Sequence, residues 1–173
     1  MNKLSKLALT VGGLAVAFTP FKIITNIADS LPSLDKKPGV SLVQRDNLTQ
    51  VVIKTGVQVK YWDPMCEEKG SYGGYAPSEK VMILCVDNHK GDMAELGDTL
   101  RHEAIHVAQT CNGNGTPKPI LSWNEIAKYS NNRILSIVQR YKPEHQHLEY
   151  EAFTGAAILS NNQVAKIVSD YCF

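Results

Sequence analysis

A chain of 173 residues, 43% of them hydrophobic, is long enough to bury a sizeable core and too short to hold a second catalytic domain. Its 18 basic and 17 acidic side chains leave a formal net charge of +1. The two signs are mixed along the chain, so there is no electrostatic footprint for nucleic acid.

The N-terminus carries Lys3 and Lys6 before an apolar stretch from Leu7 to Phe18, and Ala15-Val16-Ala17 offers a small-x-small cleavage site. This is the pattern of a secretory signal peptide. Residues 1–17 are read as that signal and 18–173 as one domain, exported (secreted or periplasmic) and without stable membrane association once cleaved. Apolar residues continue from Phe21 to Ile27, which keeps an uncleaved anchor as the alternative, although the stretch is short of the ~20 residues a span needs.

Next, SLVQRDNLTQVVIK (41–54) has helical periodicity, GVQVKYW (56–62) reads as a strand, and KVMILCV (80–86) reads as a second. The turn-rich GSYGGYAPS (70–78) joins them as a loop. Helix returns in LGDTLRHEAIHVAQTC (96–111). Leu96, Leu100, Ala104, Val107 and Ala108 form one apolar stripe, Asp92 and Glu95 resemble a capping box before it, and Asn112-Gly113 supplies a stop.

Within that helix lies His102-Glu103-Ala104-Ile105-His106, an HExxH pattern. Positions four apart on a helix lie nearly above one another, so His102 and His106 can direct two imidazoles at one zinc ion. Glu103, close beside them, is placed to accept a proton from water at the metal. Catalytic zinc sites usually have three protein ligands, so a third must come from elsewhere. The extended motif HExxHxxGxxH is excluded, because position 109 is Gln109 and position 112 is Asn112.

Beyond the linker-like GNGTPKPI (113–120), Ser122 with Glu125 makes a capping box for a helix through Ile126, Ile134, Leu135 and Val138 to about Arg140. A further helix, EHQHLEYEAFTGAAIL (144–159), has Leu148, Ala152, Gly155 and Leu159 on one face. Glu149 and Glu151 both lie near that face. At 100° per residue Glu149 is nearer the centre of the apolar arc, which favours it as third ligand with Glu151 as the alternative. Asn161-Asn162 open a last short helix through Val164, Ile167 and Val168.

At these segments the chain resembles the gluzincin group of zinc metallopeptidases, in which HExxH on one helix is completed by a glutamate on a later one. HEAIH at 102–106 and EYEA at 149–152 carry the resemblance, which extends loosely over 42–159. It implies a small α+β, zincin-like domain: a short β-sheet, the HExxH helix and C-terminal helices. It implies one Zn2+ per chain, held by His102, His106 and Glu149. It also implies an oxyanion-stabilising Tyr or His, for which His145, one turn before Glu149, is a candidate beside Tyr141 and Tyr150. In several branches an acidic residue four after the ligand glutamate supports a zinc-binding histidine; that position here is Phe153.

The function expected is a zinc-dependent metallopeptidase, with Glu103 as base and then acid, acting as a monomer on a peptide or protein substrate in extended form. KVMILCV is the strand expected to pair with substrate backbone. The alternatives are an inactive, secreted, disulfide-linked binding domain and a zinc amidase acting on a non-peptide amide. Cys66, Cys85, Cys111 and Cys172 are even in number and contain no CxxC pair, so two disulfides are expected, in keeping with export. Three pairings are open, among them Cys66 to Cys85 around the glycine-rich loop with Cys111 to Cys172.

Overall fold

A computed structural model describes residues 38–129 and 131–173, the side chains of Pro38 and Trp123 apart. The signal-peptide reading of residues 1–17 lies outside them. The described chain is a small α+β domain, mostly helical, with one three-stranded sheet.

Two helices, α1 (Pro38–Arg45) and α2 (Asn47–Lys54), replace the single one expected over 41–54. Asp46 makes the break: its carboxylate accepts from the Leu48 amide at 2.8 Å and so caps a new helix instead of continuing the old one. The strands are β1 (Gln58–Lys60), β2 (Gly73–Ala76) and β3 (Val81–Leu84), in spatial order β1-β3-β2. β1 runs parallel to β3, with Gln58 opposite Val81, and β2 runs antiparallel, with Gly73 opposite Leu84.

This corrects two expectations. GSYGGYAPS contains a strand, since a hairpin partner for β3 can be drawn from glycines when one face lies close against a helix. KVMILCV is the middle strand, with both edges paired, so it has no edge to offer a substrate. Met82 and Leu84 are fully buried, alternating with the partly exposed Val81 and Ile83.

The sheet leads into α3 (Met93–Asn112), whose N-cap Asp92 accepts from Ala94 and Glu95 amides at 3.0 Å. The expected helix over 122–140 is divided into α4 (Trp123–Ala127) and α5 (Asn132–Val138). The Ser122–Glu125 capping box is present, but Asn131 accepts from the Ile134 amide at 2.9 Å and starts a second helix. α6 (Pro143–Ile158) and α7 (Asn161–Cys172) follow, α7 opened by a Ser160–Gln163 capping box.

α3 is the spine. Its apolar stripe of Leu96, Leu100, Ala104, Val107 and Ala108 packs with Leu48 and Val52 of α2, Met82 and Leu84 of β3, and Val164 and Val168 of α7. Ile126, Ile134, Val138 and Tyr150 form a smaller core under α4, α5 and α6.

The two disulfides join Cys66 to Cys85 and Cys111 to Cys172, with Cα separations of 5.3 and 5.1 Å. Such bonds persist in an oxidising, extracellular environment. Among the described residues no helix is long and apolar enough to cross a membrane.

Candidate metal centre

His102 and His106 project from one face of α3 toward α6, and their Nε2 atoms lie 3.1 Å apart. Glu149 on α6 meets them, with Oε2 3.3 Å from His102 Nε2 and Oε1 3.7 Å from His106 Nε2. One donor atom from each residue falls within 4.8 Å of the others. Glu149 Oε2 is buried and has no hydrogen bond among the described residues. Two imidazoles and a carboxylate form a donor set suited to first-row divalent metals. An ion with four tetrahedral bonds of ~2.0–2.2 Å holds its ligands roughly 3.3 Å apart, and the observed separations bracket that value. The group could therefore hold a metal ion.

Electrostatics bind the same three residues. Burial would raise the Glu149 carboxyl, but the close imidazoles of His102 and His106 hold it at about 2. Burial would lower His106, but the Glu149 carboxylate, with help from Glu103 and Gln109, raises it to about 9. Metal ligation needs a neutral imidazole, so uptake of an ion near neutral pH displaces this proton.

Glu103 lies beneath the histidines and is only 7% exposed. Burial pushes its carboxyl above the usual carboxylate range; the two imidazoles oppose the shift and Glu149 adds to it. Strand β2 passes over it. A Cβ built on Gly73 would sit 3.5 Å from Glu103 Cγ, 2.7 Å from Thr99 Cγ2 and 2.9 Å from the Ile83 carbonyl. Only glycine lets β2 lie this close to α3. Gly73→Ala is expected to cost about 1–3 kcal/mol, the usual range for overpacking, read as a lower urea midpoint; an unchanged midpoint would mean that β2 does not pack here.

The other residues singled out by sequence separate clearly. Glu151, 5% exposed, lies outside the group, its carboxylate accepting from the Ile120 and Leu121 amides and from Gln109 Nε2. His145 is exposed on the first turn of α6. His147 Nε2 lies 3.0 Å from the Leu121 carbonyl. Tyr150 is buried in the smaller core. Tyr141 packs edge-on to Phe153, with ring centroids 6.3 Å apart. Burial, together with the Glu149 and Glu103 carboxylates, keeps its hydroxyl protonated well above the usual phenol range.

Two contributors were not assigned a role from sequence. The Phe153 ring packs on His102 at 4.3 Å, centroid to centroid, tilted by 60°, so where an acid would bond the ring a phenyl packs on it. Gln109 Oε1 lies 2.7 Å from His106 Nδ1. Its position three residues after His106, hence on the same helix face, was the available signal.

Fold and site together define a disulfide-linked α+β domain with a two-histidine, one-carboxylate group between α3 and α6. Residues 40–173 match the model of the family described as Domain of unknown function (DUF8637), and the chain belongs to that family. No curated protein and no solved structure matches it.

Proposed function

We propose that this domain is a zinc-dependent metallopeptidase of zincin-like architecture, similar to the gluzincins. The observation that carries the reading is the convergence of His102, His106 and Glu149 beside a buried glutamate, Glu103, next to His102 on α3. His102, His106 and Glu149 would hold the zinc ion. When bound, zinc supplies Lewis acidity that polarises a carbonyl and makes water more acidic. Glu103 takes a proton from the attacking water at a carboxylate oxygen and returns it to the amide nitrogen as the C–N bond breaks. Its raised proton affinity suits that exchange, because the proton must be both accepted and released.

Tyr141 is the better placed oxyanion donor, being a neutral hydroxyl near both carboxylates, whereas His145 lies exposed. An extended peptide would add to the outer edge of β2, which runs beside Glu103, by main-chain hydrogen bonds. The N-terminal signal reading and the two disulfides support action outside the cytoplasm.

The test is zinc stoichiometry by elemental analysis together with cleavage of an unfolded protein, with and without chelator. Wild type is expected to bind one zinc per chain and to cleave in a chelator-sensitive way. His106→Ala and Glu149→Ala are expected to lose zinc, and Glu151→Ala to lose less. Zinc without cleavage would move the reading to a non-peptide amide; no zinc would leave a disulfide-linked binding domain.

A further inference from the structure

The carboxylate that does not face the metal centre nevertheless reaches it through Gln109. The Gln109 amide nitrogen donates to two acceptors, Glu151 Oε2 at 2.7 Å and the Leu148 carbonyl at 3.0 Å. Neither acceptor can donate, so the amide has one favourable orientation, with its oxygen turned to the other side. There Oε1 meets His106 Nδ1 at 2.7 Å. A carbonyl oxygen can only accept, so Nδ1 must carry a proton, and Nε2, which faces His102 and Glu149, is the nitrogen left to exchange its proton for a metal ion. Gln109 is fully buried and Glu151 nearly so.

Glu151 is itself over-determined. The Ile120 amide donates to both of its oxygens at 3.0 Å and the Leu121 amide to Oε1 at 2.5 Å. Held from the backbone on one side, it holds Gln109 on the other. The line of hydrogen bonds runs from the 120–121 segment through Glu151 and Gln109 to His106, joining α6 to α3 a second time behind the ligands.

We infer that Gln109 and Glu151 are positioning residues for the metal centre: Glu151 fixes the amide of Gln109, and Gln109 fixes the tautomer and direction of the His106 ring. The pair supplies the outer hydrogen bond that a carboxylate commonly gives a metal-bound histidine. It divides the two glutamates by role, Glu149 toward the metal and Glu151 toward its support. The inference rests on the proposed metal centre.

The test uses metal affinity, measured by competition with a chelator for zinc and by the visible spectrum for cobalt, with no reference to activity. Gln109→Leu is expected to weaken affinity about 10–100-fold, the usual effect of losing such a support, and to alter the cobalt spectrum. The double variant Gln109→Glu, Glu151→Gln keeps a donor at position 151 and an acceptor for His106, and is expected to regain most of that affinity. Val43→Ala, a core change on α1, controls for lost stability and should leave affinity unchanged. Wild-type affinity in Gln109→Leu, or no recovery in the double variant, would overturn the inference while leaving the metal centre intact. The downfield His106 Nδ1 proton in the NMR spectrum is a second readout, expected in wild type and absent in Gln109→Leu. If wild type binds no metal the proposed function fails, and persistence of this proton signal in Gln109→Leu would then refute the hydrogen bond independently.

Discussion

Glu103→Gln is expected to retain one zinc per chain and to lose hydrolysis by about 10²–10⁴-fold, the contribution of a positioned general base. The substitution keeps the size and shape of the side chain and removes its capacity to accept a proton. The three residues that would hold the metal are untouched. The loss should fall on kcat, because the proton is transferred only in the transition state. Stability supplies a second check with a definite sign. Burial raises the Glu103 carboxyl above its ordinary value of 4.5 in the folded protein, so the folded chain binds this proton more tightly than the unfolded chain does. Stability from this group is present below pH 4.5 and is lost as pH rises through the raised folded value. Chelator-treated Glu103→Gln should therefore be at least as stable as wild type at neutral pH, measured by thermal unfolding. Activity near wild type would remove Glu103 from the mechanism, and lost zinc would show that it supports the ligands instead.

The HExxH helix was legible because three signals agree on it: an apolar stripe ending at Ala108, a cap at Asp92 and a stop at Gly113. Glu149 was legible in part, since helical geometry placed it on the apolar face, but its meeting with two histidines depends on how α6 crosses α3. Close approach sets that crossing: a Cβ on Gly155 would lie 2.4 Å from Ile105 Cδ1. Sequence did not separate Glu149 from Glu151, because their roles differ only through partners distant along the chain. Glu151 is satisfied by amides some 30 residues away. β2 was missed since Gly73 and Gly74 have low strand propensity, which the pairing with β3 overrides. The splits at Asp46 and at Asn131 were missed for the opposite reason: the apolar pattern continues across each, and a single capping side chain decides the boundary.

Breaking the Cys111–Cys172 disulfide, by Ser at both positions, is expected to cost about 4 kcal/mol in a chain-entropy treatment of a loop of roughly 60 residues. The bond spans 61 positions. For a domain of this size such a loss lowers the thermal midpoint by on the order of 10–15 °C. Cys66–Cys85 spans only 19 positions, so its removal should cost less, about 3 kcal/mol on the same argument. The larger bond also joins the C-terminal end of α3 to that of α7, two helices packed along their length through Val164 and Val168. The residues that would hold the metal lie between α3 and α6 instead, so zinc affinity should change little in the serine double variant while its unfolding midpoint falls. Should the shorter loop prove the costlier one to open, native packing around Cys66 and Cys85 would outweigh the entropy of the unfolded chain. Asn88 gives that outcome a physical basis, since its amide bonds the Cys66 and Ser71 carbonyls and ties the segment enclosed by the bond to the turn after β3.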